Sequence, residues 1–319
     1  MKMNYLYEVP DYKKIRVIID TDAACEADDP FAIVQGLLSP KLIVKGILAE
    51  HFNEKGSVER SYNEIKTILS AMKMDVPVFM GEEGPLSKST YQELSETESI
   101  SVTSIDINTE KAQYSEAVDF IIEEALRADD KPLYILCQGA VTNVAAAFRK
   151  NPDIIDKVTV IWIGTHGIEE KPAPFREFNA GNDITAANEV LESGTNLWLI
   201  PSNVYTTILV GLAELKLKVL PCGEIGKHLY ENMINYNLSP YAGWTQGESW
   251  SLGDSPAIAA AINPGLGHYV EVPAPHVNDD TSSTSRPGNP VIRVYKDVDS
   301  RYILEDFFAK LKLFSDGML

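Results

Sequence analysis

Cysteine is scarce: Cys25, Cys137 and Cys222 are the only thiols in 319 residues, and no two sit at the short spacing of zinc ligands or redox dithiols. That excludes a disulfide scaffold and a thiolate metal centre, and each reads as a small buried hydrophobe in a reducing compartment. Basic residues are also few. Lys and Arg total 28 against 46 Asp and Glu, for a net charge of −18, and no basic cluster offsets it, which argues against nucleic acid and anionic membranes as partners. No stretch of about eighteen apolar residues is present, and Met1 to Lys14 lacks the apolar segment of a signal peptide. The expectation is a cytoplasmic protein. No internal repeat, low-complexity tract or long linker divides the chain, and with 45% hydrophobic residues it can bury a large core. One domain over residues 1–319 is expected.

Acid is abundant, and it is concentrated. Asp20, Asp22, Glu26, Asp28 and Asp29 follow the apolar run Val17-Ile18-Ile19 and precede the apolar pattern Phe31 to Leu38, which together read as a buried parallel strand, a loop and a helix. Ligands of open α/β sheets bind beyond the carboxyl ends of strands. Like charges this close repel unless a cation, a proton or hydrogen-bond donors offset them. A hard ion, Ca²⁺ or Mg²⁺, suits an all-oxygen set better than zinc does. The plainer reading is a solvated turn with Asp28 or Asp29 at a helix N-cap, but a cap needs one acid rather than five.

The rest of the chain alternates strand and helix. Strands are predicted at Leu42–Leu48, Val76–Phe79, Pro132–Leu136, Val158–Ile163, Leu197–Ile200 and Val291–Tyr295. Helices are predicted at Val58–Met72, Ser115–Arg127, Val141–Lys150, from Asp183 to about Glu192, and at Ala213–Leu220, Ile225–Asn235, Pro256–Ala261 and Leu304–Lys312. A polar excursion from Glu82 to Gln113 and a loop from Gly164 to Gly181 interrupt the pattern. The fold class is α/β, with a mostly parallel sheet flanked by helices on both faces.

Four polar clusters directly follow predicted strands: the acidic loop, Glu50-His51-Phe52-Asn53, Cys137-Gln138-Gly139-Ala140 and Pro201-Ser202-Asn203. They share one rim, with Glu177 and Asn179 hanging over it from the long loop. Carboxylates and amides that each bond hydroxyls equip a site to hold a sugar, and an Asp-bound metal can activate water there. Water attack at a sugar carbon is the chemistry suggested. His51 is a candidate proton donor or hydrogen-bonding group, with a structural role equally open.

Asp20-Thr-Asp22 with Asp28-Asp29, Gln138-Gly-Ala-Val-Thr142-Asn143, Ile161-Trp-Ile-Gly164, Glu177-Phe-Asn179 followed by Asp183, and Asp254-Ser-Pro-Ala-Ile-Ala together resemble the nucleoside hydrolases, in order across nearly the whole chain. The resemblance implies one Rossmann-like α/β domain with a Ca²⁺ ion at the sheet's carboxyl edge, cleaving the N-glycosidic bond of ribonucleosides. It implies that Asp22 is a metal ligand and the base for the attacking water, that Asp29 and Asp254 complete the carboxylate set, and that Gln138 offers its backbone carbonyl to the ion, leaving its side chain without a role. It further implies that Asp28, Asn53, Glu177 and Asn179 hold the ribose hydroxyls, that Asp20 fixes the loop, and that the chain forms a homodimer or homotetramer.

The chain also departs from that family. Ala23-Ala24-Cys25-Glu26-Ala27 lengthens the acidic loop, a Glu-x-Asp-Asp form shared with a branch that also resembles this chain around Gly247-Glu-Ser-Trp250 and Leu304-Glu-Asp-Phe-Phe308. Gly253 stands where a His assists departure of the base, and Glu26, His51, Trp250 and Tyr241 are the candidate substitutes. Trp250 reads either as core or as a base-stacking ring. A Ser/Glu-rich stretch at Ser87–Ser99 replaces a His-bearing loop, and Lys171 stands where an Asn contacts the sugar's 5′ end. Two other classes are weighed beside this one. A haloacid-dehalogenase-type phosphatase would use Asp20 and Asp22 as nucleophile and acid, and a pentose- or nucleoside-binding protein would turn nothing over.

Overall fold

Unbroken apolar runs become strands covered on both faces, and the segments between them become helices that cover those faces. The computed structural model describes residue 5 and residues 7–86, 114–169 and 173–319. Strand β1 (Ile15–Thr21), buried at all seven positions, leads into α1 (Asp29–Leu37), β2 (Leu42–Ala49), α2 (Ser57–Met72) and β3 (Val78–Met80). There follow α3 (Glu116–Leu126), β4 (Leu133–Cys137), α4 (Thr142–Lys150), β5 (Val158–Ile163), α5 (Phe178–Asn182), α6 (Ile184–Glu192) and β6 (Asn196–Ile200). The last third holds α7 (Ser202–Tyr205), β7 (Leu209–Gly211), α8 (Leu212–Lys218), α9 (Gly223–Asn237), β8 (Ser249–Ser251) and α10 (Ser255–Ile262). It closes with β9 (Tyr269–Pro273), β10 (His276–Val277), β11 (Ser283–Thr284), β12 (Val291–Tyr295) and α11 (Ser300–Ser315).

Eight strands form one sheet in the order β3-β2-β1-β4-β5-β6-β12-β9, every neighbouring pair parallel except β12 with β9. On one face α1, α2, α9, α10 and α11 pack through residues such as Ile33, Ile68, Met233, Ile258 and Phe307. On the other, α3, α4 and α6 pack through Val118, Val144 and Leu191. Helices on both faces leave the carboxyl rim of the parallel strands as the surface from which loops can converge. Lys41, at the opposite rim, donates from Nζ to the carbonyls of Ala261 and Ile262, 2.8 Å each, and so caps the C-terminal end of α10.

The predicted α/β architecture is the one observed, with differences that have physical causes. The third strand starts at Val78, beyond Pro77, which has no N–H for the ladder. Helix α11 begins at Ser300 because Asp299 caps it, accepting from the Tyr302 N–H at 2.9 Å. Strand β9 was not predicted: Tyr269-Val-Glu-Val-Pro273 is exposed at alternate positions and only half-buried between them, so it carries no apolar run. Ser87–Ser99 and Lys171 lie outside the described residues. Among the described residues no helix is long and apolar enough to cross a membrane.

Candidate active site

The end of β1 divides its side chains between the two faces of the sheet. Asp20 turns toward α4, where its Oδ1 accepts from Asn143 Nδ2 at 2.9 Å and its Oδ2 has no partner. Fully enclosed there, it is no nucleophile for a phosphatase. Thr21 turns the other way and donates its hydroxyl to Asp29 Oδ1 at the start of α1. The chain then turns tightly, Cys25 N–H donating to Asp22 O at 2.7 Å, and Asp22 is laid against Gly139 in the loop after β4.

The acids converge. Carboxylate oxygens of Asp28, Asp29 and Asp254 lie within 4.8 Å of one another, all three buried. Asp28 and Asp29 sit at the first turn of α1 and Asp254 immediately precedes α10, so the positive ends of two helices partly offset the charge. None of the ion pairs among the described residues involves these groups. Burial is the first cause, and repulsion from neighbouring acids the next, that pushes the carboxyls of Asp22, Asp29 and Asp254 above the usual range; Asp29 acts most strongly on Asp22. Asp28 is raised by burial, against hydrogen bonds from Gly253 N–H, at 2.9 Å, and the Trp250 indole. Glu26 is raised by burial and then by Asp28 and Asp29. Buried carboxylates set this close, with oxygen as their only donor atom, form the donor set of a hard divalent ion.

Asp28, expected at the sugar hydroxyls, brings its carboxylate beside those of Asp29 and Asp254. Trp250 is 4% exposed and stacks edge-on with Tyr236 at 5.5 Å; it is core, and its polar edge serves Asp28. Tyr241 is 80% exposed. Gly253 is tightly confined: a β-carbon there would meet the Tyr205 ring at 3.1 Å and Asp28 Oδ2 at 3.3 Å.

The residues after β4 and β5 are locked together. Gln138 N–H donates to Asp20 O at 2.8 Å, and its carbonyl accepts from Asn179 Nδ2 at 3.1 Å, which also reaches Ile163 O at 2.9 Å. The Gln138 side chain is 1% exposed, and neither its Oε1 nor its Nε2 has a partner. Glu177, at the N-cap of α5, accepts from the N–H groups of Thr165, Asn179 and Ala180 and from the Tyr205 hydroxyl, at 2.8 to 3.3 Å. These four donors fill the usual capacity of a carboxylate. Thus Glu177 fixes the loop over the rim, a capping role its position before a helix signals, and it meets a sugar only by releasing one donor.

His51, expected to contact substrate, is fully buried with both ring nitrogens engaged. Nδ1 accepts from Asn53 N–H at 3.0 Å, which leaves Nε2 protonated toward the Thr142 hydroxyl at 2.8 Å; that hydroxyl donates to Asp183 Oδ2 at 2.9 Å. Burial lowers the imidazole to about 4, so it is neutral and a brace rather than a proton donor. Asn53 itself is exposed, in the left-handed region at φ 56°. Thr21, Thr142, Tyr205 and the indole of Trp250 hold the acids or the loops in place; Thr142 lay within a motif that carries the family resemblance, and nothing in the sequence marked Tyr205.

Comparison with known proteins follows the same outline. The family profile described as inosine-uridine preferring nucleoside hydrolase matches residues 17–305. A pyrimidine-specific ribonucleoside hydrolase RihB of Escherichia coli is 26% identical over 255 residues, covering 73% of this chain and 78% of that one. An uncharacterized protein of Schizosaccharomyces pombe is 27% identical over 194 residues, 60% of this chain and 62% of that one. Among solved structures, a purine-preferring ribonucleoside hydrolase from Gardnerella vaginalis superposes with a TM-score of 0.75 at 22% identity, covering 94% of this chain and 99% of that one. A plant nucleoside hydrolase gives 0.72 at 21% identity, covering 93% and 99%. These two likenesses concern the fold.

Proposed function

The chain belongs to the inosine-uridine preferring nucleoside hydrolase family, whose members are glycosidases acting on N-glycosyl compounds, and from that premise we propose that it hydrolyses the N-glycosidic bond of a ribonucleoside or related ribosyl compound with the aid of a Ca²⁺ ion. The observation that carries this reading is the buried group of Asp28, Asp29 and Asp254, with Asp22 beside it and, among the described residues, no cationic side chain paired to it. Asp22, Asp29, Asp254 and the Gln138 carbonyl would hold the ion. When bound, such an ion neutralises the acids, grips hydroxyl oxygens and makes a nearby water more acidic.

The protein's own groups do the rest. Asp22, immobilised against Gly139, takes the proton from the attacking water. Asp28, Asn53 and Asn179 grip the ribose hydroxyls, and Glu177 joins them on exchange of the Tyr205 hydroxyl for one from the sugar. The concentration of negative charge favours the positive charge that develops on the ribosyl ring as the bond breaks, more than it favours the ground state. Thr21, Trp250, Gly253, Asn143 and His51 keep this arrangement from relaxing apart. The proposal includes a homodimer or homotetramer in the cytoplasm, acting on small molecules rather than on nucleic acid or membranes.

The test is a screen for free ribose across purine, pyrimidine and nicotinamide ribosides, run with Asp22→Asn and with chelator in parallel. Ribose release lost in both controls is the expected result. Saturable binding without release by the wild type would make the protein a binder, and full activity in Asp22→Asn would remove that residue as the base.

A further inference from the structure

The carboxamide of Gln138 is the most anomalous buried side chain on the rim. It is 1% exposed, and both of its polar atoms lack a partner. Leaving a buried donor or acceptor unpaired costs about 1–3 kcal/mol per group, so a protein that retains two on one side chain retains them for a ligand, an ion or a trapped water.

Its direction follows from the ladder. Pairing continues one residue beyond β4, since Gln138 N–H still donates to Asp20 O. Along β4, Ile135 and Cys137 pack in the core beneath α3 and α4, whereas Leu136 packs in the core beneath α1 and α10. Alternation therefore sends Gln138 to the side of Leu136. Asp29 opens α1 and Asp254 precedes α10 on that side. The next residue, Gly139, lies against the Asp22 carboxylate. The amide is thus directed to the face of the sheet that carries Asp29 and Asp254, where an oxygen donor is useful and an apolar side chain of equal size would be cheaper to bury.

We propose that the side chain of Gln138 is itself a metal-binding group of this site, its Oε1 serving as a neutral oxygen donor to the divalent cation alongside Asp22, Asp29 and Asp254. Amide carbonyls are ordinary ligands of Ca²⁺, which takes six to eight oxygens. A neutral donor adds to that number without adding to the repulsion among the acids. Nε2 is left to donate to a water or hydroxyl held in the same space. This inference rests on the metal site proposed above and assigns a function to a side chain that the sequence left idle.

The experiment compares metal-stripped wild type with Gln138→Leu and Gln138→Glu by calorimetric titration with CaCl₂ and by thermal unfolding with and without the metal. For Gln138→Leu, Ca²⁺ affinity should fall by about tenfold or more, and the rise in Tm produced by Ca²⁺ should shrink accordingly. The metal-free melting temperature of that variant should be no lower than wild type, because two unpaired polar atoms have been removed. Gln138→Glu should keep or exceed wild-type affinity while melting lower without metal. Affinity of Gln138→Leu equal to wild type would overturn the inference and leave the metal site standing. So would a loss of Tm that is the same with and without Ca²⁺, the mark of a side chain bonded to structural water. Wild type that takes up no divalent cation would overturn the metal site together with the inference.

Discussion

The Asp22 carboxylate rests against the α-carbon of Gly139, so closely that a β-carbon there would stand 2.7 Å from Oδ1 and 2.8 Å from Cγ. The Gly139 backbone cannot yield easily, since its carbonyl accepts from Trp162 Nε1 at 3.0 Å within the core. Gly139→Ala must therefore displace the acid. Misplacement of a catalytic group by an ångström costs about 10²-fold in rate, and kcat/KM for ribose release should fall by about that factor, with Asp22→Asn losing about 10³-fold. Undiminished turnover in Gly139→Ala would show that this contact does not set the position of the base.

Removal of the metal should couple to pH in an unusual sense. In the metal-free protein, burial raises Asp22, Asp28, Asp29 and Asp254 above their unfolded pKa values, and repulsion from neighbouring acids adds to it at Asp22, Asp29 and Asp254. A carboxyl raised on folding holds its proton more tightly folded than unfolded. Its contribution to stability is complete at low pH and is lost as pH rises through the folded pKa. The gain in Tm on adding Ca²⁺ should thus grow between about pH 5 and pH 8, and binding should release protons, more at the acid end. Calorimetry in two buffers of different ionisation enthalpy reads that release; no release at any pH would mean that the ion does not enter among these acids.

His51 should act in the opposite sense. Burial holds it near 4, below its unfolded value of about 6.5, so the unfolded chain binds a proton that the folded one refuses. Stability is lost as pH falls from about 6.5 to 4, by roughly 3 kcal/mol at the lower limit. His51→Gln should flatten that acid limb in denaturant titrations while costing about 1–2 kcal/mol at pH 7 through the lost Thr142 bond. An unchanged limb would place the titrating group elsewhere.

Tyr205→Phe should separate capping from catalysis. The hydroxyl occupies one acceptor position of Glu177, and its loss should lower stability by about 1 kcal/mol. With that acceptor free for a sugar hydroxyl, KM should drop by about fivefold and kcat should change little. A raised KM would mean that the tyrosine, rather than Glu177, meets the substrate.

Both the α/β class and the rim were legible because buried parallel strands write themselves as apolar runs: Val158–Ile163 and Val291–Tyr295 have their predicted limits in the structure. The clustering of Asp29 with Asp254 was implied by the family resemblance, since only Asp29 follows a predicted strand. What was hidden depends on side-chain direction. Periodicity could not tell that Asp28 would face Gly253 and Trp250, that His51 would spend both nitrogens on its neighbours, or that the Gln138 side chain would be buried without a partner. Tyr205 was invisible for a related reason, because a tyrosine in a four-residue helix carries no pattern. Strand β9 escaped because one of its faces is exposed and the other only half-buried, so it has no need of an apolar run.

Lys41 gives the rim a mooring at the other pole of the molecule. The lysine grips the last carbonyls of an eight-residue helix that Asp254 immediately precedes, and a helix of that length is a rod of about 12 Å. A substitution at Lys41, remote from any reacting atom, therefore bears on the same short helix that sets where one acid stands. The underside of this sheet is, in that respect, the foundation on which the opposite rim is levelled.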